Sequence, residues 1–325
     1  CDALESVTFS GTSTITNISD YAFFSCDALN SITIPDSVTS IGYRAFDDCG
    51  SLATVTFSES SSVTSIDAMA FFGCTALHTI TIPDSVTSIG EGAFTSCAAL
   101  QSMTIPDSVT SIGNDAFHGC SALQSVTIGN SVTSISKRAF NSCGSLASVT
   151  FSETSTLTSI GQYSFNQCQA LKSITIPDSV VSIGDYAFQY CSELYSIIIP
   201  NNVTSIKQYA FHSCTSLHFV TIGTSITTIE YRTFYNCLLL QSVTFSEPST
   251  VTSIDDGAFD KCYKLSSLII PESVKSITNT SFQNTGLDVV FMNNLDSSEN
   301  TLHGYNDDNT SLIKVRGGFP DFTFT

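Results

Sequence analysis

Twelve cysteines stand at Cys1, Cys26, Cys49, Cys74, Cys97, Cys120, Cys143, Cys168, Cys191, Cys214, Cys237 and Cys262, always 23 or 25 residues apart. A thiol can serve as nucleophile, metal ligand or half of a disulfide, and each use asks for partners at a suitable spacing. The common zinc sites use close pairs such as Cys-x-x-Cys, and the chain has none. An even count leaves disulfides open. Equal spacing favours another use, in which all twelve take one structural place and form a file of inward-pointing free thiols. In such a file cysteine packs as a small apolar residue with a weak donor.

Carboxylates recur as well. Asp36, Asp84, Asp107, Asp178 and Glu272 each follow a proline. A repeated acidic edge could collect calcium, but aspartate after proline also bonds nearby backbone amides. Asn130, Asn201 and Thr224 interrupt the series, which favours the amide role, and the run Asn306 to Asn309 lacks EF-hand spacing. The five histidines, His78, His118, His212, His218 and His303, are dispersed, and only His78 and His218 share a place on the main strand of the repeat. Neither a G-x-S-x-G elbow nor a phosphate loop accompanies them. The expectation is a chain that is not an enzyme, with no catalytic residues, cofactor or metal site.

The elements that must hold these residues are legible in one repeat, CAALQSMTIPDSVTSIGNDAFHG from Cys97 to Gly119. Leu100, Met103 and Ile105 end in a period of two, which is strand alternation. Val109 and Ile112 bracket small polar residues and predict a shorter extended piece. Pro106 and Asp107 turn the corner between the two. Ala116 and Phe117 close the coil, predicted as a short turn of helix that drops the ring into the core. Self-similarity at this period means that each unit buries its apolar face only by stacking on its neighbours. The predicted fold is mostly β, a solenoid of about 12 coils of 23 or 25 residues with short helical corners.

The segment LKSITIPDSVVSIGDYAFQYC, Leu171 to Cys191, resembles the BspA-type leucine-rich repeats of surface proteins of bacteria and some protists. The likeness recurs in every unit over residues 1 to about 284. It implies a leucine-rich-repeat solenoid and attachment to host or matrix proteins or to other cells. Longer corners at FSESSS, FSETST and FSEPST lie 94 residues apart, which reads as duplication of a four-coil block. The expected organisation is one array over 1–285 and a C-terminal cap over 286–325, where the motif dissolves. Because the chain opens at Cys1 in repeat register without an initiator Met, it is read as a mature form or a part of something longer.

Charge narrows the partners. Eleven Lys and Arg against 29 Asp and Glu leave a formal charge of −18, a field that repels nucleic acid and anionic membranes. No apolar run is long enough to cross a bilayer. On the main strand the outward places carry hydroxyls, as in Ser31/Thr33, Ser102/Thr104 and Ser148/Thr150. These files break at Tyr195 and Ile198 in one coil and His218 and Phe219 in the next, with Lys172 just before. Outward aromatic and aliphatic side chains on a strand face are what a protein contact looks like, so these five are the predicted binding residues. A weaker stripe is Tyr163, Tyr186 and Tyr209. The function expected is a non-enzymatic extracellular or cell-surface recognition or adhesion module for a protein or extracellular-matrix ligand, possibly another copy of the chain. Two alternatives are a structural block of a coat or fibre and an ice-binding face built on the Ser/Thr-x-Thr files.

Overall fold

The computed structural model describes residues 1, 3–9, 13–278 and 280–287, together with the strands Val290–Met292 and Ile313–Val315. The chain divides into two compact units, Cys1–Ile174 and Thr175–Thr325. Both are built from one coil repeated in parallel, and the twelve cysteines bound about 11 turns of the solenoid.

In the first unit the main strands Ser102–Ile105, Ser125–Ile128, Ser148–Phe151 and Ser173–Ile174 form one parallel sheet, and Ser31–Ile34, Thr54–Phe57 and Thr79–Ile80 another. Register is strict: Ser125 lies opposite Ser102 and Ser148, and Thr127 opposite Thr104 and Thr150. Two-residue strands run through Asn17–Ile18, Ser40–Ile41, Ser65–Ile66, Ser88–Ile89 and Ser111–Ile112 as a second parallel sheet. Each main strand buries alternate residues, for example Met103 and Ile105, and exposes Ser102 and Thr104. A slip of one residue would reverse those faces, so burial itself pins the register.

The second unit repeats the scheme. Ser196–Ile198, Phe219–Ile222 and Ser242–Phe245 form one sheet, and Leu268–Ile270 pairs in parallel with Val290–Met292, which pairs with Ile313–Val315. Leu268 faces Val290 and Val290 faces Ile313, offsets of 22 and 23 residues that match the coil length. The rest of the segment expected as a C-terminal cap, 286–325, lies almost wholly outside the described residues.

The core is a set of ladders. Phe46, Phe71, Phe94, Phe117, Phe140 and Phe165 stack with centroids 5.1–5.4 Å apart and nearly parallel planes. Phe188, Phe211, Phe234 and Phe259 repeat this in the second unit at 5.2–5.4 Å. Interstrand spacing of about 4.8 Å imposes that separation, because equivalent residues of adjacent coils are carried at the same step. Leucine, isoleucine, valine and alanine ladders fill the space around the rings.

The corners differ from the sequence expectation. They are successive turns, not helix. In one of them Ala45, Asp47 and Cys49 donate their amides to the carbonyls three residues back, while Arg44, Phe46 and Asp48 donate theirs to Ala68, Ala70 and Phe72 of the next coil. Left-handed backbone at Arg44 (φ 52°) and Asp48 (φ 58°) turns alternate amides sideways. An α-helix satisfies its amides within itself. Here half of them instead join coil to coil, and the same pair of left-handed residues brackets the Ala-Phe of nearly every corner.

Candidate functional site

The predicted residues sit on the main-strand face. Beneath it, Ile197, Ile199, Val220 and Ile222 are buried, so the core of the second unit is filled without help from the residues above. The outward places are then free to vary. Tyr195, Ile198 and Phe219 are 51%, 67% and 43% exposed where other coils carry small polar residues.

The parallel register brings three rings together. Ser196 lies opposite Phe219, and the amide of His218 donates to the carbonyl of Tyr195 at 2.8 Å. The Tyr195 and His218 rings stack at 4.5 Å, and Phe219 meets Tyr195 edge-on at 5.7 Å. His218 Nδ1 lies 2.6 Å from the carbonyl oxygen of Ser216. A carbonyl only accepts, so Nδ1 carries the proton and donates, which fixes the ring's orientation. Ile198 lies opposite Thr221 on the same face. Lys172 is exposed but belongs to the first unit, so the four apolar and aromatic members form the candidate cluster on the second.

One residue of this kind was missed. Ile269 is 61% exposed on the strand Leu268–Ile270, at the same place in its coil as Ile198. Strict alternation in LSSLIIP would have exposed it, since Leu268 and Ile270 must both point inward.

Several of the other residues singled out in the sequence have partners within or between coils. Sulfur after sulfur donates to the carbonyl of a phenylalanine one coil back, at 3.2 Å for Cys97 to Phe71, Cys120 to Phe94 and Cys143 to Phe117. Burial pushes the Cys120 thiol up to about 12, so the nucleophilic thiolate is suppressed. The corner acids bond across coils: Asp107 accepts from the Asn130 amide at 2.7 Å, and Asp36 accepts from Ser58 and Ser60, whose hydroxyls hold its carboxyl below the usual range. Among the described residues no three His, Cys, Asp or Glu side chains come together as a metal site. His118 Nδ1 bonds the Asn141 carbonyl at 3.1 Å, and His303 lies outside the described residues. No helix among the described residues is long and apolar enough to cross a membrane.

Coils of this length, with inward leucine and thiol ladders and an outward strand face, match the model of the BspA type leucine rich repeat region in 6 copies, over residues 1–124, 87–197 and 181–306. The chain belongs to the BspA-type leucine-rich repeat family. Among solved structures, a leucine-rich repeat protein from Bacteroides ovatus is 27% identical, with a TM-score of 0.70 over 95% of this chain and 90% of that one. A leucine rich cell surface protein from Faecalibacterium prausnitzii is 32% identical over 90% of this chain and 86% of its own, with a TM-score of 0.49. A leucine-rich repeat protein from Eubacterium ventriosum shares the fold at 24% identity, with a TM-score of 0.52 over 88% of this chain and 83% of that one. No curated protein matches this BspA-type chain.

Proposed function

We propose that this chain is a non-enzymatic recognition or adhesion module, extracellular or on a cell surface, that grips a protein or extracellular-matrix partner on the main-strand face of its second unit. The observation carrying this reading is the exposed cluster of Tyr195, Ile198, His218 and Phe219 on strands whose inward residues already fill the core. Large rings held by their neighbours lose little freedom on binding, which is why aromatic anchors dominate protein contacts. Family membership supports the same reading, since these repeats characterise surface proteins, and one similar structure is a cell surface protein.

Replacing Tyr195 and Phe219 together by serine tests it. The doubly substituted chain, applied to immobilised host matrix proteins and to intact host cells, should lose binding that the unaltered chain shows. Its melting curve should stay nearly unchanged, because both side chains lie outside the core. Binding that survives the double substitution refutes the assignment.

A further inference from the structure

The corner edge of the second unit carries a second group of side chains that the recognition face leaves unused. Tyr209 and Arg232 take the same left-handed place in consecutive coils, with φ 58° and 52°. His212 and Tyr235 follow three residues later in each. The resulting packing is dense: Tyr186 stacks on Tyr209 at 4.7 Å, Tyr209 meets Tyr231 edge-on at 5.3 Å, and His212 stacks on Tyr235 at 5.0 Å. Arg232 Cζ lies 5.0 Å from the Tyr231 centroid and 4.8 Å from that of Tyr235, and Lys261 Nζ lies 5.0 Å from the Tyr235 centroid.

Neither cation forms an ion pair with a carboxylate among the described residues, in a chain with 29 Asp and Glu, although the adjacent Asp260 charge acts on Lys261. The acids closest in sequence are engaged elsewhere: Glu230 with Lys207 at 2.8 Å, Asp256 with the Thr280 hydroxyl at 3.2 Å, and Asp260 with the Asn284 amide at 2.9 Å. The local field is felt by His212, held down to about 4 by burial first and then by the Arg232 charge, with a smaller push from Lys261. A guanidinium supported on aromatic rings keeps its five donors in its own plane, matched to a carboxylate or sulfate. Beside it the half-buried phenol rings are packed on one another and under the cations, and Tyr190 adds an exposed ring, edge-on to His212, whose flat face is open to a ligand. Flat faces with polar rims suit the C–H faces and hydroxyls of a sugar better than the projecting side chains of a peptide.

We propose that this corner binds an anionic saccharide, with Arg232 and Lys261 taking the acid group and the exposed Tyr190 ring taking the sugar ring. The site is separate from the main-strand face, and either can fail without the other. Calorimetric titration of the whole chain with a galacturonic acid tetramer, a heparin-derived tetrasaccharide, maltotetraose and a glutamate tetramer tests it. One or both acidic sugars should bind, the carboxylated or the sulfated one identifying the source of the charge, and binding should weaken with salt. Arg232→Gln should weaken it about tenfold or more, the worth of a charge-assisted hydrogen bond. Lys261→Gln should do so to a smaller degree, and serves alone if the first variant melts early. Absence of binding to both acidic sugars, equal binding of maltotetraose or the glutamate peptide, or binding indifferent to both substitutions overturns the proposal.

Discussion

At the scale of single residues, place within the coil decides chemistry. Buried Cys97, Cys120 and Cys143 donate to phenylalanine carbonyls, His118 meets the Asn141 carbonyl, and Asp107 accepts from the Asn130 amide. His212 illustrates the energetics. Its ring is half-buried, accepts at Nδ1 from Gln189 Nε2 3.1 Å away, and stacks on Tyr235. Burial and the nearby Arg232 disfavour its charged form, so its proton should leave near pH 4 and not near the ordinary 6.5. The unfolded chain therefore binds more protons between those values, and by linkage stability falls as pH drops through that window. A proton NMR titration of the imidazole, with chemical denaturation at pH 7 and pH 5, checks both: the midpoint should lie near 4, and the protein should be less stable at pH 5. A midpoint near the usual histidine value would mean that the ring is open to water. Gly129 shows the opposite constraint, since a Cβ there would lie 2.4 Å from the Pro106 carbonyl oxygen of the preceding coil.

At the scale of elements, the unit of stability is the ladder. Each phenylalanine is wedged between its equivalents above and below, so truncation removes two stacking contacts and opens a closed space. Phe117 is fully buried and stacks at 5.2 Å on both Phe94 and Phe140. Phe117→Ala should cost about 3–5 kcal/mol, read as a shift of the urea midpoint. A loss below about 1 kcal/mol would show that neighbouring coils collapse into the void. The hydroxyl ladder works alongside: Ser85 and Ser108 donate to the carbonyls of Val63 and Val86 one coil back, at 2.7 and 2.6 Å. Small polar residues in the repeat are thus structural as often as they are surface.

At the scale of the whole molecule, repetition makes the chain divisible. Because each coil contacts its neighbours through equivalent places, removal of one entire repeat should leave every ladder continuous. Deleting residues 97–119, a full 23-residue coil, should give a folded protein with the same circular dichroism per residue. Deleting one residue fewer puts a thiol position where a corner residue belongs, and should yield an unfolded or aggregating chain. Equal behaviour of the two deletions would contradict a register set by the ladders. The field of −18 charges acts at the same scale, keeping the surface soluble while leaving the few cations conspicuous where they gather.

Much of this was legible in the residues alone. Cysteine spacing gave the coil length, the period of two in segments such as SMTIP gave the main strand, and the interruption of the hydroxyl files pointed to Tyr195, Ile198, His218 and Phe219 together with Lys172, which the structure places on the other unit. Those signals are local or strictly periodic, so they survive without coordinates. The corners did not read correctly, because Ala-Phe pairs suit a helical turn equally well, and only the carbonyls of the adjacent coil decide that half the amides point sideways. The Arg232 and Lys261 cluster was likewise out of reach: its members lie in different coils, and the distance from guanidinium to ring exists only after stacking. Sequence determined the repeat, the buried ladders and the family, since hydrophobic burial at a fixed period permits few other folds. Tertiary structure decided which coil-to-coil partners the polar groups take, since a hydrogen bond or a cation over a ring depends on ångström distances between residues that the chain itself keeps far apart.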